Sequence, residues 1–371
     1  MTNRRAFLRN ALTGTAAVAS GAAFAMPTER PAGFDETFDV IVVGAGGAGL
    51  AAAAHAAESG LKVLILEKMA FPGGSSAICG GGSLVVGTEL QKKAGEKDSN
   101  ELFFKDIMET GGGLNNKDVV HAFVDNHLKV YNWFMGLGGK LQSDLLFASV
   151  SANRGVEIEP NSVLKACLEH AKKNGAKLSV STRAVRLAYD RQTKRIVGVY
   201  AEKAGKTVCY GAQKGVILAS GGFARNKALL AKYVPRMAKT FTICGKGCDG
   251  DGLKMAQAYG ADVVDMPYIK ATFAFNTKPQ SINDSHYTYW EGGIIVNQAG
   301  ERFVDESIPK KDVGDHVLEQ PGGIGYCIYD EETRKISLKT ARNNGSVLES
   351  EERGLVWQRQ HGGRGCAKSR S

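Results

Sequence analysis

Away from the N-terminus the sequence holds no apolar run long enough to cross a bilayer, so no membrane span is expected in the mature chain. Its cysteines form no pattern with a chemistry of its own. Cys79, Cys167, Cys209, Cys244, Cys248, Cys327 and Cys366 show neither zinc spacing nor a C-x-x-C-H haem site. No metal centre is expected, and a haem-carrying electron-transfer domain is excluded from this stretch. Cys244 and Cys248 could pair in an oxidising compartment, but buried free thiols are the simpler expectation. Charge of one sign is missing as well. The formal net charge of +9 arises at the two ends, from Arg4, Arg5 and Arg9 and from five basic residues without an acid in the last 19. Without them 39 basic residues face 38 acidic ones, and no basic stripe is left to argue for nucleic acid.

Residues 1–25 read as an address. The segment Asn3-Arg4-Arg5-Ala6-Phe7-Leu8-Arg9 resembles a twin-arginine export signal, and a weakly apolar, Ala-rich stretch follows it. Ala23-Phe24-Ala25 fits the small-x-small cleavage rule, which puts the mature start near Met26 and the destination in the periplasm.

The chain is organised around residues 39–68. Residues 40–43 are a short β-branched run suited to a buried parallel strand. Gly44, Gly46 and Gly49 then fill G-x-G-x-x-G, an Ala-rich helix runs from Leu50 to Ser59 with Gly60 as its stop, and residues 61–66 form a second strand closed by Glu67. Gly44 permits the tight turn, Gly46 lets backbone approach a pyrophosphate, and Gly49 lets the helix pack close to the strand. The helix N-terminus aims free N–H groups at the phosphates. Glu67 stands where a carboxylate accepts ribose hydroxyls. The strand, helix, second strand and acid together predict a dinucleotide site.

Residues 73–82 hold five glycines beside Ser75 and Ser76, a backbone that passes close to something flat or charged. Asp98 with Glu101 predicts the start of one amphipathic helix ending at residues 111–113, and Asn116 caps a second. His121 and His127 fit surface or packing roles. Pro160 opens a helix ending near Asn174-Gly175. Strands are expected at 178–182, 185–189, 196–200, 207–210 and 215–219, the middle three as an antiparallel meander. The last strand runs into a glycine turn at Ser220-Gly221-Gly222, and Cys248-Asp249-Gly250-Asp251-Gly252 begins a helix through Tyr259.

These motifs resemble the fumarate reductase/succinate dehydrogenase flavoprotein family in its soluble, flavocytochrome c-like branch. The resemblance rests on Val43-Gly44-Ala45-Gly46-Gly47-Ala48-Gly49, Glu67-Lys68, the 73–82 loop, residues 217–223, Gly250-Asp251-Gly252, residues 292–297 and residues 300–306, and covers roughly residues 38–330. It implies an α/β fold, a Rossmann-like FAD-binding domain with an inserted α+β capping domain. Residues 35–262 fall to the first, 263–342 to part of the second. It also implies FAD, with Ala48 and Glu67 on the pyrophosphate and ribose side and Ser75, Ser76, Gly80 and Gly81 near the flavin. Val185 falls at an adenine-side backbone contact and Asp251 at a further FAD contact. The 73–82 loop lacks the histidine that carries covalent flavin in membrane-bound relatives, so FAD is expected to be non-covalent. The implied reaction is hydride transfer between flavin and a carbon beside a carboxylate or carbonyl, with an external electron donor such as a cytochrome c.

The sequence departs from that pattern around the substrate. The family's proton-transferring arginine falls at Lys310, or at Lys311 with one inserted residue, and lysine lacks the fork of a guanidinium. Tyr287, Tyr289 and Trp290 stand where a charged pocket is expected, which favours a larger or aromatic-bearing substrate over a simple dicarboxylate, with plain packing as the alternative. Residues 343–371 show no strand or helix period and a sudden basic bias. They read as a truncated or frameshifted end or a disordered tail, leaving the C-terminal part of the FAD domain missing. Two other functions stay open: a non-catalytic flavin-binding remnant, and an NAD-dependent dehydrogenase.

Overall fold

A computed structural model describes residues 27–238, 240–277, 285–339 and 344–356. The expected signal at 1–25 and the last residues of the expected tail lie outside them. Two compact units are present, one made of Met1–Asn226 with Cys244–Asp262, the other of Lys227–Ile243 with Val263–Ser371. The segment Lys227–Ile243 falls in the second unit.

The strands of the first unit are, in chain order, β1 (Thr28–Glu29), β2 (Glu36–Val43), β3 (Val63–Leu66), β4 (Gly82–Leu84), β5 (Phe147–Ser149), β6 (Ala152–Glu157), β7 (Lys177–Ser179), β8 (Thr182–Asp190), β9 (Arg195–Lys203) and β10 (Lys206–Leu218). Seven of them make one sheet in the order β1-β8-β9-β10-β2-β3-β7. Strands β2 and β3 pair in parallel, as do β3 and β7. Every residue of β3 is buried, as are Val40 to Val43 of β2, which is why these runs are apolar on both faces. Burying each such side chain contributes about 1.5–3 kcal/mol. One face is covered by the Gly47–Glu58 and Pro160–Lys173 helices, whose Leu50, Ala53, Ala54, Ala57, Leu164 and Ala171 join Val40, Val42 and Ile65. Alanine is frequent on the first helix because it must lie close to the sheet.

Three strand readings need correction. Residues 178–182 are not one strand: β7 ends at Ser179 and β8 starts at Thr182, with Ser181 between them at φ 47°. The apolar pattern runs through this corner because both flanks are buried. Residues 207–210 and 215–219 are one strand rather than two. β10 pairs antiparallel with β9 through Gly211 and parallel with β2 from Tyr210 to Leu218, with a bulge between Ala212 and Gly215. The antiparallel meander of β8, β9 and β10 is therefore continuous with the parallel core.

A smaller sheet, β4-β6-β5, packs with the Asn100–Thr110 and Lys117–Gly136 helices. Asn116 accepts from Asp118 N and Val119 N, as its capping role requires. Asp98 does not cap the preceding helix. Ser99 does, accepting from Leu102 N, while Asp98 is taken by the fully buried Arg154 at 2.7 and 2.9 Å. Arg154 also reaches Asp106 and lies 4.7 Å over the Phe103 ring. His127 is buried, its Nε2 accepting from Val86 N at 2.9 Å, and His121 stacks on Phe104.

In the second unit β11 (Ile294–Val296) pairs antiparallel with β12 (Tyr326–Ile328). Tyr289, Ile295, Val304, Val313 and Val317 form its core with the Lys310–Glu319 helix. Within the expected tail, Asn344–Glu352 is helical. Its own periodicity is weak, but Val347 is fully buried and Glu351 accepts two hydrogen bonds from Arg334 of the Glu331–Lys339 helix at 2.6 and 2.8 Å. Tertiary contacts supply the order that the pattern does not announce.

Candidate functional site

The first unit gathers the glycine turn, the second-strand acid, the 73–82 loop and the Asp251 turn at the C-terminal ends of β2, β3 and β10. Three glycines there have different reasons to be glycine. Gly44 sits at φ +105°, and a Cβ would lie 2.5 Å from Ala219 O. At Gly49 a Cβ would lie 1.9 Å from Gly44 O. Both are demanded by the chain itself. Gly46 has φ −81°, open to any residue, and a Cβ there meets only Gly73 O at 3.9 Å. Nothing in the protein asks for glycine at that point, whereas a group brought against the backbone from outside would. The helix it precedes has no side-chain cap and no acid in its first turn, so its amide end is electrostatically open to an anion. These features fit a pyrophosphate.

Glu67 is buried, and its carboxylate accepts from Ala45 N at 2.9 Å and Met69 N at 2.8 Å. It braces the glycine turn, and each oxygen keeps a second acceptor position for a ribose hydroxyl. Val185 is the extra residue of a β-bulge, since Ala184 pairs with Ala201 and Arg186 with Tyr200. The β9 ladder passes it by, which frees backbone for another partner.

The 73–82 loop begins as a 3₁₀ turn at Gly74–Ile78. Ser76 Oγ accepts from Gly47 N at 3.2 Å, tying this loop to the glycine turn, and Gly73 N donates to Ala45 O at 2.8 Å. Ser75 faces the other way, accepting from Gly245 N at 3.0 Å and sharing a hydrogen bond with Cys248 Sγ at 3.1 Å. Gly81, at φ +76°, packs under Ile158 O, where a Cβ would come within 1.9 Å, and Gly80 has open space around its Cβ position.

Asp251 is 5% exposed and carries the densest charge cluster of the unit. The Arg183 fork grips both its oxygens at 2.9 and 3.0 Å, and Lys68 reaches it at 3.0 Å while also pairing with Asp249. Burial alone would push the Asp251 carboxyl up. Hydrogen bonds and charge from Arg183 and Lys68 outweigh it and hold the group below the usual carboxylate range. Lys68, Arg183 and Ser220, whose Oγ accepts from Gly252 N at 3.1 Å, escaped the sequence reading. Lys68 follows Glu67 directly and Ser220 opens the glycine turn after the last strand, which are local signals; Arg183 has none.

Lys310 and Lys311 lie in the second unit. Lys310 Nζ stands 4.7 Å over the Tyr287 ring and 5.2 Å over Trp290, and these two rings stack at 4.5 Å. Lys311 bonds Asp315 at 3.1 Å and Asp312 at 3.4 Å, and these acids raise its pKa above the ordinary lysine value, the Asp315 hydrogen bond first. Tyr289 is a core residue. Among the described residues, no group of three or more His, Cys, Asp or Glu is placed to hold a metal, and no helix is long and apolar enough to cross a membrane.

A model of the FAD binding domain family matches residues 39–333. The chain belongs to this family. FAD is its cofactor, and the likeness to fumarate reductase flavoproteins seen in the motifs holds across the match. Fumarate reductase (cytochrome) of Shewanella frigidimarina is 31% identical over 306 residues, covering 81% of this chain and 53% of that protein. Urocanate reductase of Eggerthella lenta is 32% identical over 314 residues, 82% of this chain and 52% of the relative. The open conformation of a flavocytochrome c3 fumarate reductase superposes with a TM-score of 0.72 at 29% identity, over 82% of this chain and 55% of that one. The chain spans about half the length of the curated relatives it matches.

Proposed function

We propose that this chain carries the dinucleotide cradle and part of the substrate cap of an oxidoreductase acting on a carbon–carbon bond beside a carboxylate or carbonyl. The observation that carries this reading is the open face at Gly46 before an uncapped helix, a place shaped for a diphosphate from outside the chain. Gly44, Gly46, Ala48 and Gly49 hold the pyrophosphate, Glu67 the ribose, and Val185 the adenine edge. Ser75, Ser76, Gly80 and Gly81 line the flavin side. Asp251 acts through Arg183 and Lys68, fixing the Gly250–Gly252 turn. Bound non-covalently, FAD supplies hydride transfer at its flavin ring.

Lys310 is the proton-transferring residue of this reading. Its ammonium lies over the Tyr287 and Trp290 rings, the aromatic place read as facing the substrate. The substrate is an unsaturated acid with an aromatic or otherwise bulky part. The Tyr287–Trp290 stack supports that choice over a small dicarboxylate, as does the likeness to an enzyme named for urocanate, an acrylate bearing an imidazole. Export through the twin-arginine route to the periplasm and an external cytochrome c as electron donor complete the proposal. A flavin spectrum of the purified protein, released on denaturation, followed by oxidation of a reduced viologen dye with unsaturated acids, tests it. A colourless protein in the presence of excess FAD refutes it.

A further inference from the structure

The turn at residues 244–248 is framed from both ends by Arg225. Its backbone N–H donates to Cys248 O at 2.9 Å, and its guanidinium donates to Cys244 O at 2.7 and 3.0 Å. Cys248 N closes the turn on Gly245 O at 3.1 Å. Within this frame Cys244 and Cys248 stand at the two ends of one closed turn, their carbonyls held by the same arginine. Cys248 is 8% exposed and also meets Ser75 Oγ at 3.1 Å, while Ser75 accepts from Gly245 N. A Cβ on Gly245 would lie 2.9 Å from Ser75 N, so this turn and the start of the 73–82 loop are packed backbone to backbone.

We propose that Cys244 and Cys248 are a redox modification site, a dithiol that a small disulfide oxidant converts to an intramolecular disulfide. Closing that bond draws Cys248 Sγ away from Ser75 and loosens residues 73–81. Its effect on FAD rests on the reading of those residues as the flavin side. The chemistry balances without further reagents. Cys244 thiolate attacks one sulfur of the oxidant, whose S–S bond breaks and whose leaving thiolate takes up the proton lost by Cys244. Cys248 thiolate then attacks Cys244 Sγ in the mixed disulfide, expelling the second thiolate, which takes the proton of Cys248. Two electrons leave the cysteine pair and reduce the oxidant to two thiols. The new bond holds the sulfurs at about 2.0 Å, well inside thiol contact distance, and leaves Cys248 no S–H to donate to Ser75. Burial, then the neighbouring Cys248, pushes the Cys244 thiol up to about 11, so the reaction is slow at neutral pH and quickens about tenfold per pH unit.

The test uses the full chain, reduced and then incubated with excess oxidised glutathione at about pH 8.5, where the thiolate fraction is raised. Trypsin cuts after Lys246, between the two cysteines, so the disulfide appears as a covalent link between peptides 240–246 and 247–254. The expected result is that link, with amide exchange in 73–81 faster by about threefold or more. The FAD dissociation constant, read by flavin fluorescence, rises about fivefold or more, and all three changes reverse on reduction. Cys244→Ser, which keeps the Cys248–Ser75 contact, shows none of them. Absence of the link, with both cysteines alkylated after incubation, overturns the proposal. So does a link that leaves exchange in 73–81 unchanged. A link with faster exchange but unaltered FAD affinity upholds the dithiol latch and overturns the flavin-side reading of 73–81 instead.

Discussion

Gly46→Ala separates what the chain needs from what its ligand needs. The backbone there is extended, so alanine adopts it without strain, and the nearest atom to the new methyl is 3.9 Å away. Stability is expected to stay within about 1 kcal/mol of the parent, the stiffer unfolded chain favouring a gain. The methyl instead occupies the space through which a pyrophosphate approaches the helix end. Losing one charge-assisted hydrogen bond of about 1.5–3 kcal/mol raises the FAD dissociation constant about ten- to hundredfold. Gly44→Ala is the contrasting control. Its methyl meets Ala219 O at 2.5 Å with a φ of +105°, so overpacking and backbone strain cost about 2–5 kcal/mol whether or not FAD is present. Urea titration of the apoproteins and flavin fluorescence titration of the stable variants read the two effects separately. A Gly46→Ala protein that binds FAD as tightly as the parent refutes the pyrophosphate cradle. One that unfolds as readily as Gly44→Ala refutes the account of open space.

Arg154→Met leaves Asp98 and Asp106 buried without their cation and is expected to cost about 3–5 kcal/mol in urea titrations. Against burial, which raises them, hydrogen bonds from Arg154 and Gln91 to Asp98, and from Ser151 and Arg154 to Asp106, hold both carboxyls low. Their contribution is complete above the ordinary aspartate value of about 4 and is lost as pH falls through the lower folded values. In Arg154→Met the sign reverses, and stability measured from pH 7 to pH 5 rises toward acid. Asp251→Asn removes the charge gripped by Arg183 and Lys68 and is expected to destabilise by about 2–5 kcal/mol and to weaken FAD binding, seen by calorimetric melting with and without cofactor. Lys310→Met is expected to lower kcat about 10²- to 10⁴-fold with FAD affinity unchanged, and Lys311→Met to lower it far less; equal losses in a viologen assay refute the choice between them.

How much of this could be read from the sequence depended on whether a residue's reason was local. Gly44 through its φ of +105°, Gly49, Asn116, Pro160 and the stop at Gly175 answer to backbone geometry within a few residues, and they stand where the pattern put them. Asp98 and Ser99 are adjacent and equally able to cap, and only the distant Arg154 decides between them. The corner at Ser181 hides because burial continues across it, and β10 was divided because its partners change partway along. The Asn344–Glu352 helix depends on Arg334 and a buried Val347, which no pattern within 344–352 announces. In the cradle, the glycines and Glu67 follow from the chemistry of a dinucleotide, whereas Arg183 reaches the Asp251 turn from β8 and Ser220 from the turn after β10.

The contact between Gly44 and Ala219 sets an order of assembly. The βαβ unit through Leu66 is complete early in synthesis, but the turn at its heart is backed by a residue 175 positions further along, and β2 lacks its β10 neighbour until the same moment. At a translation rate of about 5–20 residues per second, the nascent unit waits roughly 8–30 s on the ribosome with one edge of its central strand unprotected. Closing that gap is a contact of high sequence separation and is entropically slow. A cell making this protein must therefore shield an apolar strand edge while about 150 further residues are made, and the cofactor cannot nucleate the fold before β10 has emerged.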